Sequence, residues 1–442
     1  MKNFFDDENL GRITKEASKR LLRLFSTISL IFNVTPSLLV NNIIFFIFVY
    51  HLFQLLFSQI FYSVFISSHI LSWDSYVYIC GVSLFINGFD PYNYITLRDC
   101  LPDNWNFYFN MPYTVLFLYL PFAKLTNFQW LFIVNGLNFF LLILVFKKVF
   151  SFLSNIRNYL IATLLYFFFI FNTFDGAITV AVYSGNLGVT ISLIGLVLLI
   201  NYLKNNDSKF IWFVIIATIL KPIYICFAAA IFLNERNFIS SVVTIAKIVL
   251  VVVALYFFLY LLNPTLFGGF LSNTAYLANS IDIGFGFTSL VREFCDSFGI
   301  YYSSITLLTV IGSILCIIHL LLIYYFVDIT KYSLEEKVMI VSIVTLLFFP
   351  RIKVYDSLFC IPLISYLPFY LYNSYKDTGF LYDNFTTYIH QRLHLVASIL
   401  ILYPLFIYNR WEPYHFTFIL LFSAYLLIAT IHFKQKQTKN LS

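Results

Sequence analysis

The chain has 442 residues, of which 60% are hydrophobic and only 11% charged, and its mean hydropathy is +0.84. A soluble protein keeps about a quarter of its residues charged, so this chain lacks the polar surface to cover a water-soluble globule, and lipid is its expected main solvent. The net charge of +6 does not argue for a nucleic-acid partner, because most of the basic residues flank hydrophobic spans, as topology signals do.

In chain order, residues 9–32 place Leu10, Ile13, Ala17, Leu21, Leu24 and Ile28 at helical spacing, with Arg12, Lys15, Lys19, Arg20 and Arg23 between them. This pattern reads either as an amphipathic helix on the cytoplasmic surface or as a basic topology signal without fixed structure. The first apolar run begins near Asn42, too far in for a cleavable signal peptide. Apolar spans follow at 43–66, 111–146, 159–174, 186–203, 210–232, 238–262, 300–326, 338–349, 356–373, 395–408 and 416–433. The expected fold is all-α: a polytopic transmembrane bundle of about 10–12 hydrophobic helices. Two spans are expected to be broken or re-entrant. The first is interrupted at Pro121-Phe122-Ala123-Lys124. The second is interrupted at Lys221-Pro222, where proline ends a helix and lysine is costly in lipid.

Charge sets the orientation. If 111–146 crosses an odd number of times and 210–232 an even number, the inner stretches hold 19 of the 27 Lys and Arg residues. The outer loops then hold five, Arg98, Arg292, Arg351, Lys353 and Arg410, together with ten of the 21 acids. The expected organisation is a cytoplasmic segment 1–42, a membrane domain 43–433 with outer loops 67–110 and 263–299, and a cytoplasmic tail 434–442. The protein is placed in a membrane such as the bacterial cytoplasmic membrane, with both termini inside. The six cysteines form no CxxC pair and no metal cluster. Cys100 and Cys295 both fall in outer loops and either pair with each other or remain free thiols. Of the seven histidines, only His390 and His394 have a metal-like spacing, and no acid is placed to complete a site. No metal site and no cofactor are expected. There is no Gly-rich phosphate loop and no GxSxG.

Loop 67–110 is where chemistry is expected. It carries Trp73-Asp74-Ser75-Tyr76-Val77-Tyr78 and Gly88-Phe89-Asp90-Pro91-Tyr92. An acid a few residues beyond a helix end sits where a lipid headgroup meets water and can act as a base. Asp74 is therefore either a catalytic base or a polar residue that ends a helix. Asp90, followed by proline, is either a substrate contact or a turn residue. Lys221 either snorkels, pairs with an acid or serves the site. Arg351 and Lys353 run against the positive-inside bias and are the first candidates for an anion clamp, ahead of Arg292 and Lys221. Asp356 is a second acid, an acceptor ligand or a partner for Arg351.

The order of these features resembles glycosyltransferase family eighty-seven, the polyprenyl-phosphate-mannose-dependent enzymes of the GT-C class. The resemblance is carried by Asp74, Tyr78, Gly88, Pro91-Tyr92, Tyr108, Pro112-Tyr113 and Leu120-Pro121. It continues with Gly185-Asn186 (Gly-Gln in the family), Lys221-Pro222, Ser289-Leu290 with Arg292, and Pro350 with Tyr355-Asp356. It covers roughly residues 43–370. It implies a polyprenyl-phosphate sugar donor, a glycolipid or glycan acceptor, Asp74 as the base of an inverting transfer, and substrate contacts at Tyr78, Asp90, Tyr92, Tyr108, Asn186, Tyr355 and Asp356. The alternatives are a polymerase or ligase of membrane glycans, and a non-enzymatic flippase or transporter of lipid-linked sugars.

Overall fold

The computed structural model describes residues 73–102, 107–109, 111–122, 124–151, 185–235, 237–278, 284, 286–352, 356, 358, 359, 361 and 362, with single positions between 421 and 431. The expected N-terminal amphipathic helix, the spans 43–66, 159–174 and 395–408, and the pair His390 and His394 lie outside the described residues.

Among the described residues the regular elements are all helical. They are α1 (Trp73–Ile86), α2 (Tyr94–Cys100), α3 (Tyr113–Tyr119), α4 (Asn127–Phe150), α5 (Leu187–Asn205), α6 (Lys209–Leu220), α7 (Ala228–Asn234), α8 (Phe238–Leu262), α9 (Pro264–Ala278), α10 (Phe287–Ser297), α11 (Ile305–Phe326) and α12 (Leu334–Leu347). Four of them, α4, α5, α8 and α11, are long and apolar enough to cross a membrane. On α8 only Ser241, Ile248, Val252 and Leu259 are buried, while residues such as Ile239, Leu250 and Leu261 are more than half exposed. An apolar face of that size is stable against lipid and costly against water.

α4 and α5 run parallel, because Leu131 meets Gly185, Asn138 meets Thr190 and Lys148 meets Asn201 in ascending order. The Gly185 end of this pair is called the upper end here. The segment 111–126 stays at that end. Tyr113 donates its hydroxyl to the Leu259 carbonyl (2.7 Å), and a capping box at Thr126 and Gln129 restarts the chain as α4. The break at Pro121 therefore separates a seven-residue helix and a 3-10 turn from one long helix.

The break at Lys221 is a fold-back. Phe210, at the start of α6, stacks on Tyr202 (5.4 Å), and Asn234, at the end of α7, hydrogen-bonds the same tyrosine. Both ends of 209–234 thus lie at the lower end of α5, and Lys221-Pro222 is the apex of a hairpin. Proline opens the 3-10 turn Pro222–Phe227 that reverses the chain.

Two cores result. The large one packs α4 to α8, α11 and α12, and from Val338 to Leu347 every residue of α12 is buried. A smaller upper core joins α1, α2, α3 and α9, with Tyr78, Tyr92, Phe109, Tyr113 and Phe270 at its centre. Within the segment expected as outer loop 67–110, residues 73–86 and 94–100 therefore form α1 and α2. Likewise, the stretch after α12 turns inward: Ile352, Asp356, Leu358 and Phe359 are all buried. The cysteine expectation is corrected. Cys100 pairs with Cys80 of α1, and Cys295 is a buried free thiol on α10. Sequence placed Cys100 and Cys295 on one side of the membrane but could not measure the distance between them, whereas α1 and α2 pack face to face.

Candidate functional site

Asp74 occupies the first turn of α1 and is half-buried. The adjacent Ser75 is fully buried against Gly185, where an added Cβ would come within 3.0 Å of the serine Cβ and 2.8 Å of Leu131. Gly185 also has a positive φ of 73°, which favours glycine. This close passage delivers Asn186 to Asp74. Asn186 is the N-cap of α5, and its Oδ1 accepts the Gly188 N–H at 2.7 Å. Its Nδ2 donates to Asp74 Oδ2 at 2.9 Å. Two residues 112 positions apart, both singled out from sequence, are in direct contact.

Deeper along α5, Ser192 donates to Asp356 Oδ1 across 3.5 Å, and Asp356 is 4% exposed. Ser192 lies thirteen residues above Asn205, roughly 20 Å along the helix axis, and the 12-residue α6 raises Lys221 by roughly 18 Å from the same lower end. The Lys221 ammonium therefore stands near the level of Asp356. Besides burial, it feels the charges of Asp356 and Asp74, the former more strongly. Asp74 and Asn186 sit roughly 9 Å higher, six residues up α5. The result is one cation and two carboxylates, each carboxylate hydrogen-bonded to a side chain of α5.

The Ser289-Leu290 and Pro350 segments also converge. The Thr288 N–H donates to the Pro350 carbonyl (3.1 Å), and a Cβ at Gly286 would strike the Phe349 carbonyl oxygen at 2.8 Å. The φ of 103° at Gly286 makes glycine the residue that fits there. Arg351 follows this junction and is half-buried; Lys353 and Tyr355 lie outside the described residues. Arg292 bonds Asp296 on its own helix (3.3 Å), with both side chains well exposed.

The remaining candidates are structural in placement. Asp90 Oδ1 accepts the Tyr92 N–H (2.9 Å) and closes a turn. Tyr92 is 4% exposed, donates to the Met111 carbonyl (2.6 Å) and packs on Phe109 and Phe270; burial pushes its phenol up. Tyr78, one turn along α1 from Asp74, is buried in the upper core. Tyr108 stacks between Tyr94 (4.9 Å) and Tyr276 (4.5 Å), and its hydrogen bond with Tyr276, followed by burial, pushes its phenol up to about 12.

Ser192 was not legible from sequence. Six residues turn a helix by about 240°, so no shared face links Ser192 to Asn186. Among the described residues no group of three or more His, Cys, Asp or Glu side chains could hold a metal ion. In comparison with known proteins, the sequence matches no family model and no curated protein, and the structure matches no solved structure.

Proposed function

We propose that the protein is a GT-C-type bundle of about 10–12 membrane helices that transfers a hexose, mannose in the first instance, from a polyprenyl-phosphate donor to a lipid or glycan acceptor. The reaction takes place at the non-cytoplasmic face, which is the upper end of the bundle. The observation that carries this reading is the contact of Asp74 with Asn186 near Lys221 and Asp356. Support for the side comes from Cys80–Cys100, since disulfides persist in oxidising compartments.

The chemistry follows from these groups. A sugar hydroxyl is a poor nucleophile at neutral pH, and Asp74 accepts its proton as the oxygen bonds C1 of the donor. The C1–O bond to phosphate breaks on the opposite face, so the anomeric configuration inverts. The lipid phosphate leaves with the electron pair and needs a cation beside it, a role for Lys221 and Arg351. No covalent enzyme intermediate forms.

The test incubates purified protein with a panel of radiolabelled polyprenyl-phosphate sugars and follows transfer and release of lipid phosphate. Asp74→Asn should lower transfer by at least about 10²-fold with expression and folding intact. Substantial turnover by that variant would remove Asp74 from its role. The second reading, a flippase, draws on the position of Lys221 and Asp356 well below the upper end of α5. Translocation of the lipid-linked sugar without any product would favour it.

A further inference from the structure

We infer that Asn186 is a positioning residue of Asp74, and that its helix-capping duty orients the carboxylate oxygen it meets. This rests on the proposed role of Asp74 as base and extends it. The primary amide has one acceptor end and one donor end. Its acceptor end is committed to the Gly188 N–H at 2.7 Å, which anchors the first turn of α5. Flipping the amide would set its NH₂ against that N–H and its oxygen against the Asp74 carboxylate, two repulsive contacts at once. The NH₂ must therefore face Asp74, and Asp74 Oδ2 must be the accepting oxygen at 2.9 Å. A carboxyl proton is thereby excluded from Oδ2. The rigidity of a helix end is thereby transmitted to the base, and the hydrogen bond favours its charged form.

Further charged and hydroxyl-bearing groups stand on the elements around Asp74. Lys221 at the hairpin apex acts on it by charge, shared with Asp356. Of the helices packed on α1, α2 brings the exposed Arg98–Asp99 pair (3.4 Å). α3 brings Tyr113, whose hydroxyl is committed to Leu259. α4 carries Lys147 and Lys148 at its far end. On α1 itself stand Tyr76 and Tyr78.

The experiment needs no donor sugar, so its failure and the failure of the transfer reading are distinguishable. Full-length protein in lipid nanodiscs is treated with dicyclohexylcarbodiimide, which modifies protonated carboxyls, and labelling of Asp74 and Asp356 is quantified against pH by peptide mass spectrometry. Asn186→Ser keeps a capping oxygen on α5 but loses the donor to Asp74. It should raise Asp74 labelling at neutral pH by roughly tenfold, with the labelling midpoint moving to higher pH and Asp356 unchanged. Asn186→Asp also caps well and sets a second carboxylate against the first, so the pair shares a proton and labelling should rise further. Unchanged Asp74 profiles in both variants, or equal rises at Asp74 and Asp356, overturn the inference.

Discussion

Lys221 is a cation whose charge reaches both acids. Asp356 is 4% exposed, accepts from Ser192 across 3.5 Å and interacts with the charge of the lysine. Removing one partner of a buried ion pair costs about 3–5 kcal/mol because the other charge is stranded. Lys221→Met should destabilise the protein by that order, read as a lower thermal unfolding temperature in lipid or detergent. Adding Asp356→Asn should recover most of the loss, since both charges are then gone. A double variant no more stable than the single one would separate the two residues. Asp74, Lys221 and Asp356 were legible in sequence because a charge beside or within an apolar run is costly and needs a reason. Ser192 was not, because serine is cheap in such a run and its partner lies 164 residues away. The placements of Tyr92 and Asp90 were equally hidden: a buried phenol and a turn carboxylate cannot be told in sequence from exposed ones.

At the scale of elements, α1 shows what periodicity misses. It is 14 residues long, and its buried positions include Ser75, Val77, Tyr78, Cys80 and Val82, so it lacks the clean apolar stripe by which a helix is recognised. Its place in the upper core comes from α2, α3 and α9, which sequence treats as loop or broken span. By contrast, the hairpin 209–234 was legible, because Lys-Pro in an apolar run marks a helix end regardless of its neighbours. The Cys80–Cys100 bond ties α1 to α2 across 20 residues, and closing a loop of that size is worth about 3 kcal/mol. Reductant should therefore lower the unfolding temperature of the native protein. A Cys80→Ser/Cys100→Ser variant should unfold at that lower temperature with or without reductant. If reductant shifts the double variant as much as the native chain, the bond makes no contribution.

For the whole molecule, two lines support the proposed orientation. Lys147, Lys148, Lys204 and Lys209 gather at the lower end, as expected of a cytoplasmic face. The disulfide lies in the upper layer, as expected of an oxidising one. Tyr301 is 90% exposed just before α11, whose other end meets Phe232 through Tyr324 (4.6 Å) at the lower end, so Tyr301 belongs to the upper end. Asn205 is exposed at the foot of α5. A cysteine at Tyr301 should react with a membrane-impermeant maleimide on intact cells. One at Asn205 should react only after permeabilisation. Cys226, Cys295 and Cys316 are buried and the two disulfide cysteines are blocked; Cys360, outside the described residues, is replaced by serine in both reporters, so the background should be low. The reverse pattern would put Asp74 at the cytoplasmic face. A donor presented at the non-cytoplasmic face would then be out of reach, and the proposed transfer would fail on topology alone, whatever the chemistry of Asp74 and Asn186.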